Sequence, residues 1–195
     1  MQDGEWDRGL VLLTAGLARY RRLGSAASVP FFLTVLAQAH LQRGQVEAGL
    51  AVIEEAVQLT ETHFVHFWTA EVHRLRGELL LAQAGQACRA PGMETAPTEA
   101  CFRQALAVAR QQGAKALELR AAISLSRVWL EQDKYEPTQA LLGRCYDWFS
   151  EGLDTADLQT ARGVLARCQP VTQPRVVSND LFSYALLSPL PLGEG

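Results

Sequence analysis

Apolar residues recur every three or four positions along most of the chain, interrupted at intervals by glycine, proline and short polar runs. Trp6, Leu10, Leu13, Leu17 and Tyr20 predict a helix over residues 5 to 22, which Gly24 and Ser25 end. Ser28 is placed to cap a second helix, about 29 to 43, with Pro30 in its first turn, where a missing N–H costs nothing. Gly44 ends that helix, and a third follows after two or three residues, about 46 to 61, as an antiparallel neighbour. Thr62 is placed to cap a fourth, about 63 to 83. Residues 84 to 96, with Gly85, Pro91 and Gly92, show no apolar period and are expected to form a flexible loop. Helices are predicted over about 97 to 112 and 115 to 131, with Gly113 between them. Asp133, three residues before Glu136 and near Pro137, predicts the start of a seventh over 134 to 150, and Gly152 its end. Asp154 begins an eighth, about 155 to 168. No stretch of residues 1 to 168 reads as a strand, so the expected class is all-helical.

One spacing occurs four times. A turn residue is followed after five positions by a small residue, after four more by an apolar one, and after three more by another small one. The copies are Gly4, Gly9, Leu13, Gly16; then Gly44, Gly49, Ile53, Ala56; then Thr98, Phe102, Ala105; then Asp133, Thr138, Leu142, Cys145. Gly16 to Ala56 and Ala105 to Cys145 are each forty residues apart, and the middle interval is nine longer, which fits an insertion near 85 to 95. Small residues at these points let two helices approach closely, while the apolar residue fills the gap to the next hairpin. Trp68, Trp129, Trp148, Phe102 and Leu36 are expected in the core.

Composition narrows the classes. At 195 residues and 48% hydrophobic, the chain is long enough to bury a sizeable core. A net charge of −3 and a pI near 5.8 argue against nucleic acid as partner. The tightest basic group, Arg19, Arg21 and Arg22, ends a helix, where cations favour the dipole. Cys88, Cys101, Cys145 and Cys168 form no C-x-x-C, which suits free thiols in a reducing cytoplasm. No basic start and apolar run marks a signal peptide, and no apolar stretch reaches the roughly 18 residues of a membrane span. From Gln169 onward Pro170, Pro174, Pro189 and Pro191 break every helix, so 169 to 195 is expected to be a disordered tail or a short docking segment. Its last residues, Leu187 to Gly195, resemble translated intergenic repeat, and no function is assigned to them.

The recurrent spacing resembles that of tetratricopeptide-repeat arrays, with small residues at the helix crossings and a turn glycine between helices. Leu33, Leu36, Ala37 and His40 stand where that family places its large, apolar, small and aromatic positions; His73, Gly77 and Leu80 match less closely. The run from Phe67 to Leu81, together with 100–106 and 148–158, is similar to the C-terminal repeat regions of bacterial multidomain ATPase regulators, including ones joined to adenylate cyclase or DNA-binding domains. The chain departs from that family in its repeat of about forty rather than thirty-four residues, and in Thr98 and Thr138 where alanine is usual. The resemblance, over about residues 4 to 168, implies a right-handed superhelical solenoid of about four antiparallel hairpins. It further implies a cytoplasmic regulatory or sensor end of a signalling ATPase that binds protein or peptide. No G-x-x-x-x-G-K-[ST] phosphate loop is present. The first helix takes the second position of a hairpin whose first helix is absent, so its apolar face is expected to lie uncovered. That implies truncation, a frayed start or pairing with a second copy.

Three kinds of site were weighed against ordinary packing. His63, His66 and His73 fall near one another, but His73 is two turns on, and a metal would need a ligand from another helix. Glu71 and Glu78 share a face about 10 Å apart, and Arg74 between them offers simple pairing rather than acid–base catalysis. Neither a cofactor, a metal nor an enzyme activity is therefore expected. In such repeats the first helix of each hairpin lines the groove, so the resemblance assigns partner contact to Thr34, Gln38 and Leu41, then Glu71, Arg74 and Glu78, then Arg120, Ile123 and Arg127. This mixture suits an extended peptide or helix better than a small apolar ligand, and Arg120 and Arg127 are expected to pair with acidic groups of the partner. The rival readings are a small-molecule sensor, with a pocket between the fourth and sixth helices, and a self-association module.

Overall fold

The computed structural model describes residues 3–24, 27–62, 66–86 and 95–168, with side chains from Arg8 onward. Among these residues the chain is all-helical: α1 Asp3–Arg22, α2 Val29–Gln42, α3 Val46–Thr62, α4 Thr69–Gln86, α5 Ala96–Gln111, α6 Lys115–Leu130, α7 Tyr135–Tyr146 and α8 Ala156–Arg167. Each helix packs against the next in sequence. In addition α2 touches α4, α4 touches α6 and α6 touches α8, whereas no two odd-numbered helices among the described residues meet. The even-numbered helices therefore form a continuous layer, and α3, α5 and α7 are each seated between two of them, whereas α1 meets α2 alone among the described residues.

The recurrent small–apolar–small residues explain that seating. Gly49, Ile53 and Ala56 of α3 are buried, as are Thr98, Phe102 and Ala105 of α5, and Thr138, Leu142 and Cys145 of α7. A Cβ on Gly49 would lie 2.5 Å from Leu79 of α4 and 3.4 Å from the Ala37 carbonyl of α2, so α3 sits this close to both only because the residue is glycine. Gly77 of α4 plays the complementary part: its absent Cβ leaves room for the Phe102 ring of α5, which would otherwise stand 2.5–3.0 Å away. That contact joins the apolar cluster of α1–α4 to that of α5–α8. In α1 the equivalent Gly9 and Gly16 are exposed, and Val11 and Leu12 are 68% and 63% exposed, whereas Leu10, Leu13, Leu17 and Tyr20 pack against the α2–α4 cluster, so the expected uncovered apolar face is only partly there.

Several boundaries differ from the sequence-based expectation. Thr62 does not cap α4; it closes α3, where its hydroxyl donates to the Gln58 carbonyl, and α4 starts only at Thr69. Ser28 occupies the N-cap position of α2, but its hydroxyl makes no cap bond, and its carbonyl receives the Phe32 N–H instead. Asp133 is a turn residue rather than a helix cap. It sits at φ 56°, its N–H donates to Leu130, and the Lys134 N–H reaches the Trp129 carbonyl, which closes the end of α6 as Gly44 closes α2. α7 stops at Tyr146 rather than 150, because Phe149 turns back onto the core and leaves Trp148 60% exposed. Trp148 is thus not a core residue, whereas Leu36 and Phe102 are buried, and Trp68 and Trp129 pack half-buried against the clusters. The expected loop is shorter at both ends, since α4 continues through Gln86 and α5 begins at Ala96. Its centre, 87–94, and the tail, 169–195, lie outside the described residues.

Candidate functional site

The three even-numbered helices that carry the expected groove positions lie side by side. Between α2 and the N-terminal parts of α4 and α6 lies a recess of about 340 Å³, lined by α2 from Phe31 to Gln42, by Glu71 at the start of α4, and by Leu117 and Arg120 of α6. Trp68, just before α4, closes one wall, its ring 4.5 Å from that of Phe31. Farther along, α4 and α6, the end of α2 and the start of α8 enclose a second cavity of about 430 Å³. Gln38 and Leu41, Arg74 and Glu78, and Arg120, Ile123 and Arg127 line that one. Gln38, Gln42 and Arg120 border both, so the two form one groove along the helices. All nine residues expected at the groove converge on it.

Their electrostatic roles differ from the expectation. Arg74, 8% exposed, donates from Nε and Nη2 to Glu71 at 2.9 and 2.8 Å and from Nη1 to Glu78 at 3.3 Å. Ser124 of α6 donates to the same Glu78 oxygen at 2.6 Å. Burial opposes the Arg74 charge, but the Glu71 hydrogen bond and the negative charges of Glu71, Glu78 and Asp157 outweigh it, and its pKa stands above the ordinary arginine value. Glu71 and Glu78 are thus held as the acceptors of a structural ion network.

Arg120 was expected to meet acidic groups of a partner, but it spans Glu71 of α4 at 3.2 Å and Asp157 of α8 at 3.7 Å. Its charge is answered within the chain. Arg127 is exposed, and among the described residues it makes no ion pair. Gln38 and Gln42 likewise have no side-chain hydrogen bond among the described residues.

Sequence reasoning missed part of the lining. Leu117 and Gln42 lie three and four residues from Arg120 and Gln38 on the same helix faces, so extending each face by one turn finds them. Asp157 belongs to α8, and carrying the repeat one hairpin further would have reached it. Trp68 was assigned to the core, and it serves both the core and the recess wall.

The histidines do not assemble. His73 is half-buried on α4, where burial and then the neighbouring Arg76 charge push its pKa below the ordinary value, and His63 lies outside the described residues. Among the described residues no three His, Cys, Asp or Glu side chains converge as metal ligands. A larger recess of about 1380 Å³ lies between α4, α5 and α6, but its charges mostly answer one another. Glu99 meets Arg103 at 2.8 Å and Lys134 at 3.8 Å, and Arg167 meets Glu131 at 3.7 Å. No helix among the described residues is long and apolar enough to cross a membrane.

No family model matches the chain. Over 110 residues, 56% of its length, it is 34% identical to an uncharacterized protein of Rhizobium meliloti (strain 1021), of which it spans about a tenth.

Proposed function

We propose that the chain is a non-catalytic docking module which binds a protein or peptide segment in the groove of its even-numbered helices. The observation that carries this reading is the convergence of all nine expected residues on one groove, whose two cavities measure about 340 and 430 Å³. The helices arranged in two layers and the small-residue spacing support a right-handed tetratricopeptide-like solenoid. The resemblance of residues 67–81 to ATPase-regulator repeats supports a place at the regulatory end of a larger bacterial signalling protein in the cytoplasm. The groove is a poor candidate for acid–base chemistry, because its two glutamates are tied to Arg74 and accept further bonds from Arg120 and Ser124.

The test is affinity capture from the source cell with the wild-type chain and a Val35→Glu/Gln38→Glu double variant. Val35 and Gln38 line the groove, so the altered protein should fold and lose the captured partner. Retention of the same partner by the double variant would refute the groove reading.

Two other readings have an observation behind them. The aromatic recess between α2, α4 and α6 is of a size that holds a small planar effector, which equilibrium dialysis against cell metabolites would detect. Exposed Val11 and Leu12 on α1 favour self-association, which sedimentation velocity would detect as a dimer that Val11→Lys abolishes.

A further inference from the structure

The groove is chemically uneven along its length. At one end Phe31, Val35, Trp68 and Leu117 line the smaller recess with apolar surface, and Phe67, 71% exposed, stands outside it with its ring 4.9 Å from that of Trp68. Such a recess gains free energy when an aromatic or large aliphatic side chain displaces its water. At the other end stands Arg127, the groove cation whose charge no described carboxylate answers, beside Ile123 and Leu41. The charges between them are already committed: Glu71, Arg74, Glu78, Arg120 and Asp157 pair with one another. A partner therefore meets one apolar end and one cationic end.

The α2 wall carries two amides without a described hydrogen bond. Gln38 and Gln42 stand one turn apart on α2 and border both cavities, with neither amide bonded among the described residues. Residues four apart on a helix have Cβ atoms about 5–6 Å from each other. An extended chain repeats its same-side peptide groups every two residues, about 6.6 Å. Two glutamine amides at that interval can each donate to and accept from successive peptide groups on one edge of an extended strand.

The two ends are also a defined distance apart. Leu117 and Arg127 are ten residues apart on α6, a rise of about 15 Å. On α4 the recess is bordered at Glu71 and the second cavity at Arg74 and Glu78, so that wall runs the same way as α6. At about 3.3 Å per residue an extended chain covers that length in four to five residues.

We propose that the groove takes an extended peptide whose aromatic or large aliphatic side chain fills the Phe31–Trp68–Leu117 recess and whose carboxylate, four or five residues away, pairs with Arg127. This rests on the peptide-groove reading above and gives it a ligand pattern. The Arg127 guanidinium supplies a charge-assisted, two-pronged contact to the carboxylate. The recess supplies the anchor, and the two glutamines hold the intervening strand in register.

The experiment is selection of a random dodecapeptide library on the immobilised full chain, followed by titration of one recovered peptide. The recovered sequences should pair an aromatic or large aliphatic residue with Asp or Glu at a spacing of four or five. Arg127→Gln should weaken the recovered peptide at least tenfold, as should replacing its acid by the amide. Combining the two changes should cost no more than either alone. Peptides that Val35→Glu displaces but that lack the spacing, or whose affinity is indifferent to Arg127→Gln, would overturn this proposal and leave the groove reading standing. Recovery of no peptide, or of peptides that Val35→Glu does not displace, would overturn both.

Discussion

α1 and α3 carry the same spacing, Gly9–Leu13–Gly16 and Gly49–Ile53–Ala56, and meet opposite surroundings. In α3 all three residues are buried between α2 and α4, and a Cβ on Gly49 would strike Leu79. In α1 nothing lies within 4 Å of the Cβ position of Gly9 or Gly16, and among the described residues α2 alone packs against this helix. The spacing is therefore an instruction to be clasped by two helices, and it is fulfilled only where both are there. Where it is fulfilled it builds the even-numbered layer, and the face of that layer turned away from the odd helices carries the groove.

The largest effect should come from the residue that joins the two halves of the apolar core. Phe102→Ala removes the ring lodged over Gly77 and should cost about 3–5 kcal/mol in urea denaturation. A loss below about 1 kcal/mol would mean that the α4–α5 contact does not carry the core.

Next in size is the groove's ion network. Arg74→Ala leaves Glu71 and Glu78 without their shared cation and should cost about 3 kcal/mol, although Arg120 retains part of the charge on Glu71. An unchanged unfolding midpoint would show that the network contributes nothing to the fold.

The α1–α3 contrast itself predicts opposite signs for one substitution. Gly49→Ala should destabilise by about 1–3 kcal/mol through overpacking against Leu79. Gly9→Ala, on an exposed helical position, should stabilise by roughly 0.5–1 kcal/mol through helix propensity. Equal effects at the two positions would break the comparison.

The smallest effect is one of pH. Burial tends to raise the Glu99 pKa, but hydrogen bonds from Gln132 and Trp129 and the charges of Lys134 and Arg103 outweigh it, so its carboxyl titrates below the ordinary 4.5. Glu118 is lowered in the same way, by Arg110 and Lys115 against its burial. Their stabilisation is present above pH 4.5 and is lost as pH falls through the lower native values. Glu99→Gln should therefore reduce the difference between unfolding midpoints at pH 5.5 and pH 3; an unaltered difference would remove Glu99 from that account.

Most of the helices and the buried repeat positions were legible in the sequence, because three-residue and four-residue periodicity follows directly from which face is buried. Thr62 and Asp133 were misassigned for a shared reason. Each is a residue type that caps a helix start, yet Thr62 spends its hydroxyl within α3 and Asp133 takes the left-handed turn that closes α6. Trp148 was expected in the core, and the end of α7 two residues earlier turns it outward. Nine of the lining residues were legible, because the repeat register with helix phase placed them, whereas Leu117, Gln42 and Asp157 were not named. The pairing of Arg120 was not, since its partners Glu71 and Asp157 lie 49 and 37 residues away in sequence and meet it only through the even-layer contacts. Of the two arginines expected to meet a partner, Arg120 is thus paired within the chain, and Arg127 makes no ion pair among the described residues.

The central claim is that recognition belongs to the even-numbered layer and packing to the odd-numbered helices. It is tested most directly by placing a photoreactive benzoylphenylalanine at Gln38, in the groove, or at Ala48, exposed on α3, and irradiating each protein in the source cell. Adducts that form from position 38, are absent from position 48 and are lost on adding Val35→Glu are the predicted result. Adducts from position 48 alone, or equally from both, would contradict it.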